Sequence, residues 1–120
     1  MPTEPSTPTL SEIVRRAAEV TDPGNDLVED LQQRTEDSDE PVTAIEDIDE
    51  RIAEEVGRID PEGDDPVLVM TAAVAVYLAH RRDELDAPRD ELLRLAVRAE
   101  FDGSPPDEVS GWLAAEGVSA

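Results

Sequence analysis

The chain contains no cysteine and no lysine. Among its 120 residues there is one histidine, His80, and three aromatic side chains, Tyr77, Phe101 and Trp112. Without cysteine there are no disulfide staples, thiolate metal sites or cysteine nucleophiles, and nothing hints at an oxidising compartment. With so few aromatics, the core has to be built from Ala, Val, Leu and Ile, and stability has to come from packing.

The single histidine restricts chemistry further. A di-iron bundle places Glu-x-x-His on two of its helices, and the residue three before His80 is Tyr77. A Ser or Thr nucleophile would have only His80 as its base, and no Gly-x-Ser-x-Gly turn is present. The six glycines are scattered singly and form no phosphate-cradling loop. Neither Asp37-Ser38-Asp39-Glu40-Pro41 nor the stretch from Asp60 to Asp65 fits an EF-hand loop. His80 does have Asp83 and Glu84 at i+3 and i+4. An imidazole at a helix C-terminus beside carboxylates is favoured by the macrodipole alone, and ligands on one exposed turn make a poor metal site. The sequence therefore predicts no enzyme, no cofactor and no metal.

Long apolar runs are also missing. The longest, Val67 to Ala79, is interrupted by Thr71 and falls short of the roughly 20 residues a spanning helix needs. Charged residues flank it on both sides, so it reads as a buried helix, and no membrane partner is expected. Residues 1–8 contain Pro2, Pro5 and Pro8 without a basic or apolar region, which reads as a disordered tail rather than a signal peptide. A cytoplasmic location is the expectation.

What is abundant is acid. Thirty-one carboxylates face ten cations, all Arg, giving a net charge of −21 and a pI near 4.1. Such a charge opposes compaction in dilute buffer, whereas at roughly 1 M salt the screening length falls to about 3 Å. The composition resembles that of cytoplasmic proteins of salt-accumulating halophilic archaea. In that setting acidity is a general background, so it does not by itself point to a mimic of DNA. Residues 1–60 carry 18 acids and five Arg, net −13, and residues 61–120 carry 13 and five, net −8. The segment from Glu36 to Glu50 has eight acids and no cation, and is expected to be the most weakly ordered or the most strongly hydrated.

Helix signals recur along the chain. Thr9 precedes Glu12, and Thr43 precedes Glu46, by the three residues of a capping box. Ser104 with Asp107 is a looser version with Pro105 at the first helical position. These signals predict helices near Leu10–Val20, Asp26–Arg34, Ala44–Arg58, Pro66–Leu85, Pro88–Phe101 and Pro105–Ala115, with no sheet. The fold class is all-α: a compact bundle of about five to six short helices around a central apolar helix, residues 66–85. Residues 9–60 supply acidic amphipathic helices and residues 61–120 a compact helical core, the two forming one domain.

Elimination leaves a non-enzymatic interaction or regulatory module whose partner is another protein or a second copy. The candidate contact residues are the stripe Ile45, Ile48, Ile52, Val56 and Ile59, spaced by three and four, and the lone Trp112. The alternative is a helix-turn-helix DNA-binding protein formed by the last two helices, with Arg81, Arg82, Arg94 and Arg98 as contacts. Its recognition helix would carry Asp107, Glu108 and Glu116 and no Arg, which argues against nucleic acid as the partner.

Overall fold

The computed structural model describes residues 8–22, 24–38 and 40–118. Of the predicted tail, residues 1–7 lie outside this range, whereas Pro8 is buried and its carbonyl accepts a hydrogen bond from Val42 N at 3.0 Å. Pro8 thus belongs to the folded body. Among the described residues there are six α-helices and no strand: α1 (Leu10–Val20), α2 (Asp26–Thr35), α3 (Ile48–Ile59), α4 (Pro66–His80), α5 (Arg89–Phe101) and α6 (Asp107–Ala115). The protein is an all-α bundle. Its centre is α4, which packs against all five other helices.

Several termini follow directly from local chemistry. Thr9 Oγ1 accepts from Glu12 N at 3.2 Å and starts α1, Asn25 Oδ1 accepts from Leu27 N and Val28 N and starts α2, and Asp65 Oδ1 does the same for Val67 N and Leu68 N. Each side chain satisfies donors that the first helical turn leaves free. At the other end of the chain, Gly117 takes φ +76. Its N–H bonds Ala114 O and the Val118 N–H bonds Leu113 O, a Schellman closure that folds Val118 into the core.

Three predicted boundaries are corrected. The Thr43 and Glu46 pair does not open a helix: Val42–Ala44 form a 3-10 turn, and α3 begins only at Ile48, after Asp47 at φ 51. The backbone bond from Val42 to Pro8 and the burial of Val42 hold this segment out of helical register, so tertiary contact overrides the local signal. The central helix ends at His80 rather than Leu85. The chain there tightens into a 3-10 turn at Arg82–Glu84 and reverses toward α5. Finally, α6 starts at Asp107 behind Pro106, so neither Ser104 nor Pro105 occupies its predicted position in the helix.

The core draws on both halves of the chain. Leu10, Ile13, Val14, Ala17, Ala18 and Val20 of α1 are each at most 1% exposed and meet α4 along its length. Two arginines fasten this layer. Arg16 donates from Nε to Leu85 O at 2.9 Å and from Nη2 to Ala87 O at 2.7 Å, fixing the α4–α5 connection. Arg89 donates to Val20 O at 2.8 Å and pairs with Glu116 at 2.8 Å, tying the end of α1 to the end of α6. Inside, the Thr21 and Thr71 hydroxyls lie 2.7 Å apart, each also within reach of its own helix carbonyls. This explains how Thr71 can interrupt an apolar run and remain fully buried.

Candidate functional site

An apolar helix of the α4 kind is normally covered on every side. Here Val67, Leu68, Met70, Thr71, Ala73, Val74, Ala75, Tyr77, Leu78 and Ala79 are buried, but Val69, Ala72 and Val76 are only partly so. Those three residues, spaced by three and four, form one stripe along the helix. Facing them across an open groove of about 410 Å³ are Val56, Ala53 and Gly57 of α3, with Phe101 of α5 closing one side. Ala53 and Gly57 are exposed and Val56 is half-buried.

The groove exists because of how α3 lies. Its buried side chains are Ile48, Ile52 and Glu55. The inward row therefore includes a glutamate that is 9% exposed as a residue and whose carboxylate oxygens still reach solvent, while Val56, next in sequence, is half-buried at the groove. Glu55 is approached by Arg51 at 3.8 Å and Arg58 at 3.6 Å. Both separations are beyond good hydrogen-bond geometry. A carboxylate that reaches solvent and has distant partners contributes little to holding α3 down.

Carboxylates ring the groove: Asp49, Asp60, Glu62 and Glu100, with no cation among its lining residues. Asp49 Oδ1 lies 2.6 Å from His80 Nε2, a link across α3 and α4 that replaces the predicted cluster of His80 with Asp83 and Glu84. Both side chains are well exposed, so the contact positions the helices without adding much stability. Glu100 has its carboxyl pushed above the ordinary value of 4.5, first by burial and then by the Asp49 charge, with His80 opposing. Away from the groove, burial and the Glu84 charge raise the Tyr77 hydroxyl.

The residues singled out from sequence are divided by the fold. Ile48 and Ile52 are core, at 8% and 2% exposure. Ile52 and Val56 line the groove, whereas Ile45 lies before α3 and, with Ile48 and His80, borders a separate shallow hollow. Ile59 is half-buried against the core. Trp112 is half-buried on α6 and packs on the core, away from the groove lining. The missed residues are Val69, Ala72, Val76, Ala53 and Phe101. Their signal was present in the all-round apolar pattern of α4, but which of its sides stays open depends on its neighbours.

Arg81, Arg82, Arg94 and Arg98 are exposed. None of the four forms an ion pair with Asp83, Asp90, Glu91 or Glu100 among the described residues. Asp90 is approached by Arg89, and Arg82 donates to Ala79 O. Helices α5 and α6 both pack on α4 and touch each other little. Among the described residues no group of three or more His, Asp or Glu is arranged to hold a metal ion. No helix there is long and apolar enough to cross a membrane. No protein-family model matches the chain, and neither the curated proteins nor the solved structures provide a match.

Proposed function

We propose that this protein is a non-enzymatic interaction module that binds another protein through the open face between α3 and α4. The observation that supports this reading is the Val69, Ala72 and Val76 stripe, only partly covered on a helix whose other apolar residues are buried, and continued by Val56 and Phe101. A contiguous apolar surface of this kind, rimmed by charge, is characteristic of contact sites.

The test uses the double variant Ala53→Glu with Val56→Glu, both at positions where a longer side chain can reach solvent. Tagged parent and variant serve as parallel baits in nuclease-treated native lysate, at a KCl concentration where both keep full helicity. A stoichiometric partner held by the parent and lost by the variant is the expected result. A partner held equally by both would remove the groove from consideration.

A DNA-binding reading retains one favourable observation: Arg94 and Arg98 lie one turn apart on α5, exposed and without an acidic partner among the described residues. Weighing against it are the slight α5–α6 contact and the acidic first turn of α6. Arg94→Glu with Arg98→Glu should weaken retention on DNA and flatten its salt dependence if that reading holds. Unchanged retention would end it.

A further inference from the structure

We infer that the occupant of the α3–α4 groove is an amphipathic helix carrying arginine or lysine on its flanks, and not a second copy of this chain. This rests on the reading of the groove as a contact site. The shape of the groove argues for a helix: its floor runs from Val69 to Val76, about 10 Å at 1.5 Å per residue, which matches anchors at i, i+3 or i+4, and i+7 of a partner helix. Its long walls are two helices whose backbone groups are bonded internally, with the turn Asp60–Gly63 closing one end. They offer no row of free N–H and C=O groups to an extended peptide.

The charge around the groove decides between partners. Asp49, Asp60, Glu62 and Glu100 stand on the rim and no cation does. The hollow between α1 and α2 contains Arg15 and the one along α5 contains Arg94 and Arg98, while those beside His80 and along α6 contain no Arg; among these hollows the α3–α4 groove is the one that combines four carboxylates with a floor of Val69, Ala72 and Val76. Two copies docked groove to groove would bring eight carboxylates together, and like charges in apposition suppress association. A cationic flank would instead meet Asp60 and Glu62 at one end and Glu100 at the other. Glu100, exposed on this rim and close enough to feel the Asp49 charge, would gain from such a cation.

The test is fluorescence anisotropy with three labelled helical peptides of about three turns. They share one leucine stripe and differ only on the flanks, which carry Arg, Gln or Glu. Titrations use the full chain at the lowest KCl that preserves its far-UV helicity. The Arg peptide should bind about tenfold more tightly than the Gln peptide, with the Glu peptide weakest. Ala53→Glu with Val56→Glu should weaken the Arg peptide by at least about tenfold, while Gln33→Glu, which adds charge on α2, should not. Glu62→Gln with Glu100→Gln should bring the Arg peptide toward the Gln peptide without changing the latter.

Equal affinity for all three peptides would overturn the charge assignment and leave the groove as a contact site. Arg-peptide binding that ignores the groove variant would overturn the placement. No binding by any peptide would overturn the helical occupant, while the capture experiment described above still judges the contact face separately. A concentration-dependent dimer disrupted by the groove variant would replace the inferred partner with a second copy.

Discussion

Helices α1 and α3 are both short and amphipathic, and both come from the first half of the chain, yet they meet α4 differently. All six inward residues of α1 are essentially inaccessible, and its Arg16 reaches two carbonyls of a distant loop. Helix α3 buries two isoleucines and a glutamate, leaves Val56 half-exposed, and is linked to the end of α4 by the exposed pair Asp49 and His80. The first helix is structural. The second covers part of the core and leaves the rest available.

The comparison can be broken most directly by truncating each helix. Ile13→Ala should cost about 3 kcal/mol, whereas Val56→Ala should cost only a fraction of about 1 kcal/mol, because water already reaches the second site. Denaturant unfolding in high salt reads both, and equal losses would show that α3 is as integral as α1. Next in size, Arg16→Met keeps the apolar stem but deprives Leu85 O and Ala87 O of their donors, with an expected loss of about 1 to 2 kcal/mol. A silent substitution would mean that the α4–α5 connection is held by packing alone.

On α3 the sign should reverse. Glu55→Leu replaces a solvent-reaching carboxylate whose cations stand at 3.6 and 3.8 Å with an apolar side chain on the buried row, and should stabilise the fold by up to about 1 kcal/mol. If it destabilises instead, the two arginines matter more to α3 than their distances indicate.

The smallest effect concerns Glu100, whose carboxyl is raised in the folded state. Such a group contributes stability that is complete below its unfolded value and is lost as pH rises through the folded one. Because Glu100 remains accessible, water screens much of this effect. Glu100→Gln should thus match the parent below 4.5 and be slightly more stable at neutral pH. An offset between their thermal midpoints that does not change with pH would assign the gain to something other than ionisation.

Much of the fold was legible in residue order. Thr9 and Asp65 mark helix starts because their side chains serve amides two or three positions away, and the apolar run from Val67 marks the central helix because no other element could tolerate exposing it. Thr43 misled, since its capping signal competes with a contact between Val42 and Pro8 that lies far along the chain. The open groove was only half legible: Ile52 and Val56 stood in the candidate stripe, but Ile48 sits in the core and Ile45 precedes the helix.

The sequence by itself determined the all-helical class, the central position of α4 and the lack of cysteine chemistry, all properties of composition and of spacings within one turn. Only the tertiary structure decided that Arg16 and Arg89 serve as fasteners, that His80 meets Asp49, and that Val69, Ala72 and Val76 remain only partly covered. Those outcomes depend on how α3 rotates over α4 and where the chain reverses after His80. Both are set by packing between residues distant in sequence, which no local pattern encodes.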